Sequence, residues 1–457
     1  MAMKFTSTGY CMRMTLRLAV SALILTATLG CTEDDTLLRY AQPAFPEELD
    51  EPVEPNEPAT EQDSPTQYPI GQLHSPLTDS VEKRLLDILA LQADPQFSVF
   101  MKAGDSISYS THSMYCFADD EVKLGDRIDL SNALSFYLDG DAAGTTPFDR
   151  ASAAVLGGKT ASWVNDGDPS PLLTEIDAID PSIAVVMFGT NDSGYFEPNT
   201  AQMLRWYGEE MLFLTNTLMD EGIVPILMTI PPSTKPRIAA MVDVVNSIIR
   251  GIAQGNQIPL VDYHLAMSGA PALGLSSDGV HPNWSGSSAC DLSEDGLEGG
   301  YNLRNLLTLD ALDRIRRVVL DHERPVDGPL PLATGSGSAA DPIHIDNLPF
   351  TRLSDTSAAL DSNIDGYANC GSSADESGPE EYFQLSLSQD ATVRMAVVDE
   401  AGVDVDIHLF DASGACIDRD DTLIEGTLTA GDYLLVVDTY VANGSEQAGQ
   451  YLLVVSH

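Results

Sequence analysis

Positive charge is scarce in this chain. Its 457 residues hold 23 Lys+Arg against 69 Asp+Glu, a formal net charge of -46. Such a field repels phosphate backbones and anionic headgroups, which excludes nucleic acid and bare lipid surfaces as partners of the folded part. From residue 341 onward there is no lysine, and the only arginines are Arg352, Arg394 and Arg419. Nucleotide and zinc signatures are missing as well: no GxxxxGK[ST], no GxGxxG after a strand and no HExxH. None of the six cysteines lies in a CxxC, and no Cys/His cluster has zinc spacing. There is no GxSxG, so the sharp strand-to-helix elbow that presents a serine in many hydrolases is excluded.

The chain is longer than one compact core usually holds, so two folded units plus non-globular segments are expected. Residues 1–31 begin with Lys4, Arg13 and Arg17, continue in an apolar run from Leu18 to Leu29 and end in Gly30-Cys31. The run is too short to span a bilayer as a helix and reads as an export signal. A small residue before a cysteine at that point resembles a bacterial lipobox, with Thr28 and Leu29 departing from its usual pattern. The resemblance implies lipidation at Cys31 and a lipoprotein at the cell surface or facing the periplasm, touching membrane only through its anchor. Ordinary cleavage and secretion is the other option. Residues 32–77, with "FPEELDEPVEPNEPATEQDSP", are too rich in Pro and Glu to fold and read as an extended linker.

Between residues 78 and 322 short apolar runs alternate with long helical patterns. The runs are "FSVFMKAG" (97–104), "SAAVLGG" (152–158), "IAVVMFG" (183–189), "IVPILMTI" (223–230) and "IPLVDY" (258–263). Helical periodicity covers 201–222, 236–256 and 303–322. The alternation predicts an α/β unit, a parallel sheet with helices on both faces. A Pro/Gly/Ser linker follows at 323–342. From 343 to 457 the period becomes two, in "YFQLSLS", "TVRMAVV", "VDIHLFD", "DYLLVVDTY" and "QYLLVVS", which predicts a C-terminal all-β sandwich. With Cys11 and Cys31 assigned to the leader, four cysteines remain. Of three pairings, Cys116–Cys290 and Cys370–Cys416 keep each bridge within one unit.

Ligands of open parallel sheets sit at the carboxyl ends of the strands. The residues there are Gly104-Asp105-Ser106, Gly157-Gly158 and Gly189-Thr190-Asn191-Asp192, with Asp278 and His281 on a late polar loop. Together they have the parts of a nucleophilic site. A serine hydroxyl needs a base, which His281 can be, and Asp278 three positions earlier can orient the ring. Oxyanion donors are available in the backbone N–H of Ser106, the backbone N–H of Gly158 and the Asn191 amide. Rival bases are His112, close in sequence to Ser106, and His264 paired with Asp262.

The blocks "GDSIS", "GGKTAS", "GTND" and "DGVHPN", in this order, resemble the SGNH (GDSL-type) hydrolase family over about residues 80–320. The resemblance implies a flavodoxin-like three-layer α/β/α fold, a Ser106–His281–Asp278 triad, a three-donor oxyanion hole and no catalytic cofactor or metal. Gly158 rather than Gly157 matches the family's catalytic glycine. One departure is "WSGSSACDLSEDGLEGG" between the HPN turn and the last helix, a segment able to fold over the site. The sandwich is similar to bacterial pre-peptidase C-terminal domains, which implies an accessory module. Asp404, Asp406, Asp411, Asp418, Asp420 and Asp421 there can supply calcium ligands, or remain solvated loop acids. The expectation is an exported serine esterase acting on acyl esters, with acetyl groups of a surface polysaccharide as one substrate. A lipase or thioesterase fits the same residues, and a surface binding protein without turnover is the rival class.

Overall fold

The computed structural model describes residues 67–119, 122–195, 200–323, 327 and 330–457. The expected signal, the lipidation site Cys31 and most of the first linker lie outside these residues. Four parallel strands form the first sheet: β1 (Gln96–Gly104), β2 (Pro181–Met187), β3 (Val224–Met228) and β4 (Leu260–Val261), hydrogen-bonded in that order. They are Val-, Ile- and Met-rich and buried on both faces, as crossover helices require. The run at 152–158 does not become a strand. It is reduced to a single parallel bridge, Val155 to Gly104, on the free side of β1. Counting that bridge, the strand order is 2-1-3-4-5, the flavodoxin-like arrangement. The helical pattern at 236–256 is broken at Ala240-Met241 into Pro236–Ala239 and Val242–Gly255.

Residues 67–77 are not a free linker. Tyr68 is buried and its hydroxyl donates to the Ile258 carbonyl at 2.9 Å, while its N–H donates to the Gln254 side chain. His74 bridges to Val261 at the sheet edge. One aromatic and one short strand partner suffice to bind a segment that composition assigns to disorder. Farther on, Asp327 accepts from Arg314 and from the Leu77 N–H, both at 2.9 Å, and Leu330 is buried in the same core. Asp327 and Leu330 of the second linker are therefore also held on the α/β core, while Ala333, Thr334 and Gly337 attach to the sandwich.

The C-terminal residues form two facing sheets. One has five strands in the spatial order Ile343–Ile345, Glu380–Leu387, Gly431–Thr439, Val405–Asp411 and Cys416–Asp420. The other has four: Phe350–Asp355, Gln450–Ser456, Ala391–Asp399 and Leu423–Leu428. Val393, Met395, Val397, Tyr451, Leu453 and Val455 point into the sandwich. The alternate residues Ala396, Val398, Leu452 and Val454 join the α/β core instead. The four-stranded sheet is thus apolar on both faces, and its outer face packs on the helices Thr200–Asp220 and Val242–Gly255. Two glycines permit the approach. A Cβ on Gly208 would strike Val398, and one on Gly251 would strike Leu452 and Thr351.

Disulfides join Cys116 to Cys290 and Cys370 to Cys416. The first links the segment after β1 to the segment after the late polar loop. No helix among the described residues is long and apolar enough to cross a membrane.

Candidate active site

At the carboxyl end of β1 the chain turns through Asp105 into a short helix that starts at Ser106. Asp105 caps that turn by accepting the Ile107 N–H at 3.0 Å. The late loop brings His281 opposite, with its Nε2 2.8 Å from Ser106 Oγ and its Nδ1 2.7 Å from Asp278 Oδ2. An ionised carboxylate only accepts, so Nδ1 donates to Asp278 and the lone pair of Nε2 faces the Ser106 hydroxyl. The turn that makes this possible is bound internally. Asp278 Oδ1 accepts from the N–H groups of Val280 and His281 and from the Ser276 hydroxyl, each at 2.9 Å. Slight burial pushes the Asp278 carboxyl up, but these donors and the His281 ring outweigh it and hold the group well below the usual carboxylate range. It stays charged wherever His281 works. The side chains of His281 and Asp278 are 40% and 50% exposed, so the site is open to solvent.

Behind Ser106, Gly157 lies so that its Cβ would be 3.8 Å from that of the serine, and Gly158 has φ +75°. A side chain on Gly158 would meet nothing within 4 Å, because it would project into the open site. Among the described residues the N–H groups of Ser106 and Gly158 have no acceptor, as donors reserved for a ligand would. Asn191 differs. Its amide donates to Asp105 Oδ2 at 3.2 Å and to the Lys159 carbonyl at 3.0 Å, which uses both hydrogens. For it to serve an oxyanion, the Lys159 carbonyl must be exchanged for the substrate oxygen.

Two buried acids support this arrangement, and sequence reasoning did not single them out. Burial pushes Asp105 up to about 6, against the Ile107 N–H and the charges of Arg304 and His281, which pull it down. Burial pushes Asp192 up to about 7, and the neighbouring Asp105 adds to the effect against the Ala161 N–H. Asp192 Oδ1 accepts that N–H at 3.1 Å, while Oδ2 has no partner among the described residues. In the unfolded chain such a group ionises near 3.8. The folded form therefore holds a proton that the unfolded form releases. The stabilisation is complete below that value and is lost as pH rises through about 7. Asp399, raised by burial to about 7, and Asp406 and Asp438, raised by burial to about 8, act with the same sign in the sandwich. The thermal midpoint should fall between pH 5 and pH 8. Asp192→Asn should flatten that slope by on the order of 2 kcal/mol in stability. Scanning calorimetry of both proteins across the range decides it, and parallel curves would exclude the assignment.

The rival bases are otherwise engaged. His112 packs against the tilted rings of Trp284 and Tyr301, with centroids 5.5 and 5.6 Å away. Asp262 caps the next helix through the Leu265 N–H at 3.0 Å and pairs with Arg250 at 2.8 Å, so it does not orient His264. The inserted segment does not cover the site. Cys290, Asp291 and Leu292 are buried, Asp291 accepts from Lys123 at 3.0 Å, and the Asn302 amide binds the carbonyls of Ser285, Ser288 and Asp291. It forms one wall of a cleft of about 490 Å³ beside His112 and Trp284. A second cleft, of about 530 Å³, reaches Gly158 and Asp192.

Five of the six sandwich aspartates have local partners for their carboxylates, and Asp404 is held through its backbone. Asp411 accepts from the Ser413 and Ala415 N–H groups, and Asp420 from those of Thr422 and Leu423. Asp418 accepts the Arg419 N–H, while Asp406 and Asp421 face the Arg419 guanidinium at 2.9 and 3.6 Å. The Asp404 N–H is held by the Gln447 carbonyl. Among the described residues no three His, Cys, Asp or Glu side chains converge as a metal site.

Residues 103–289 match the model of the GDSL-like lipase/acylhydrolase family. No curated protein matches this chain. Among solved structures, a GDSL-like lipase from Bacteroides thetaiotaomicron VPI-5482 is 18% identical, covering 51% of this chain and 97% of its own, with a TM-score of 0.31. An acetylxylan esterase from Geobacillus stearothermophilus is 16% identical, covering 47% and 93%, with a TM-score of 0.32. The pre-peptidase C-terminal domain of a Bacillus anthracis collagenase is 15% identical, covering 25% and 92%, with a TM-score of 0.17.

Proposed function

We infer, from a GDSL-type acylhydrolase domain over residues 103–289, that this protein hydrolyses carboxylic esters through an acyl-enzyme on Ser106. The observation that carries the reading is the unbroken chain Ser106–His281–Asp278, with contacts of 2.8 and 2.7 Å. In the first step Ser106 Oγ attacks the ester carbonyl as His281 Nε2 takes its proton. Asp278 stabilises the imidazolium through Nδ1–H. The developing oxyanion is received by the free N–H groups of Ser106 and Gly158, and by Asn191 once it leaves the Lys159 carbonyl. His281 then protonates the departing alcohol. Water, activated by the same nitrogen, releases the acid and restores the serine. GDSL hydrolases need no cofactor for this.

The acyl group in this reading is short, and the alcohol is part of an acetylated carbohydrate outside the cell. Support comes from the solvent-open triad and from the carboxylate, ammonium and hydroxyl groups that stand among the aromatic residues of both clefts, where a long alkyl chain would desolvate them. Two disulfides, and the resemblance of residues 1–31 to an export signal, support an extracytoplasmic location, anchored at Cys31 or released. A p-nitrophenyl ester series from acetate to palmitate tests the acyl preference. The rate should fall steadily with chain length, and a maximum at the long esters would favour a lipase. The engaged triad argues against the binding-protein alternative.

A further inference from the structure

The chain contains three tryptophans, and all three line the two clefts described above. Trp163 and Trp206 stand in the cleft that reaches Gly158, and Trp284 stands in the other, three residues past His281. Tryptophan is the largest apolar side chain and normally goes to the core. Here Trp206 is 44% and Trp284 46% exposed. Each has a polar surround. Lys159, Glu209 and Glu210 share the first cleft, and Asp119, Asp149 and Ser288 the second. The two clefts have no lining residue in common, and each has the size of a small-ligand site.

A flat indole with carboxylates and hydroxyls at its rim suits one class of ligand. A sugar ring presents an apolar C–H face to the indole and hydroxyls to the acceptors around it. Glu209, Glu210 and Asp149 each accept one donor from the protein, Arg205, Asn165 and Thr146, and an alkyl chain laid in the same clefts would strip water from their remaining lone pairs and offer no donor in exchange. A uronate- or sulfate-bearing chain would meet those carboxylates and the overall negative field. We propose that the substrate of the ester hydrolase inferred above is a neutral acylated glycan long enough to enter both clefts, with Trp206 and Trp284 as sugar platforms flanking the scissile ester. This rests on the hydrolase reading and adds a polymer specificity to it.

The three tryptophans also supply the assay. The Ser106→Ala protein, titrated with partially acetylated xylo-oligosaccharides of graded length, should show saturable quenching or a blue shift of its tryptophan emission. Affinity should rise with length until both clefts are filled. On the active protein, Trp206→Ala and Trp284→Ala should each lower the ratio of kcat/KM on the acetylated oligosaccharide to that on p-nitrophenyl acetate by about tenfold or more, chiefly through KM. Trp206→Phe should recover part of the loss, which a folding defect would not. Equal losses on both substrates, emission that ignores the oligosaccharides, or tighter binding of polyuronate than of neutral glycan would each overturn the proposal. Wild type that cleaves p-nitrophenyl acetate but no acetylated glycan removes this inference alone. Wild type inactive on both removes the hydrolase reading too.

Discussion

Ser106→Ala should lower kcat on p-nitrophenyl acetate by about four to six orders of magnitude, with little change in thermal midpoint. The hydroxyl has a single partner, His281 Nε2, and its loss leaves no buried group unpaired. Asp278→Asn makes a companion with a different cause. The amide can no longer hold Nδ1–H as an acceptor of full charge, and it loses the three donors that Asp278 Oδ1 gathers from Ser276, Val280 and His281. Its rate should drop by about 10⁴-fold, and the turn itself should loosen. Stopped-flow rates with circular dichroism on both variants separate chemistry from folding. An alanine variant that keeps a tenth of the wild-type rate would end the serine mechanism.

Removing residues 343–457 should leave the α/β part insoluble or unfolded. An accessory module on a flexible tether would come away without harm, so the outcome discriminates. Ala396, Val398, Leu452 and Val454 are buried against the helices Thr200–Asp220 and Val242–Gly255. Burial of a Val or Leu side chain is worth roughly 1.5–3 kcal/mol, so these contacts and their counterparts on the helices approach the 5–15 kcal/mol that holds a domain together. The helix Thr200–Asp220 also carries Trp206 and Glu209 to the cleft that reaches Gly158. Solubility and ester hydrolysis of the shortened chain are the measurements. A soluble, fully active 67–342 fragment would show the sandwich to be dispensable.

Much of this was legible in the sequence, for identifiable reasons. The strands at 97–104, 183–189 and 223–230 announce themselves as apolar runs between helical patterns, and small polar residues follow the first two. The run at 152–158 looks the same but begins in Ser, Ala and ends in two glycines, and only Val155 finds a partner. Buried Asp105 and Asp192 were masked by their neighbours. In "GDS" and "GTND" an aspartate reads as turn chemistry, and only the folded chain shows it desolvated. The union of the two units was missed because period two was expected of a free-standing sandwich. "LLVV" at 452–455 has no polar alternation, which is the mark of a strand covered on both faces. Composition hides the placement of residues 67–77, which a few contacts decide: buried Tyr68 and Leu77, and the pairing of His74 with Val261.

The bridge between Cys116 and Cys290 has a bearing on when this protein can work. It fastens the stretch just past the nucleophile to the stretch just past the base, across 174 residues of chain. Asn305 sits at the same knot, binding the Met114 N–H and the carbonyls of His112 and Ala289. With the two sulfurs reduced, the stretch beyond the nucleophile and the stretch beyond the base would be tied to each other here by the amide contacts of Asn305, so a reducing agent should loosen one side of the reactive centre against the other before it disturbs the sheet.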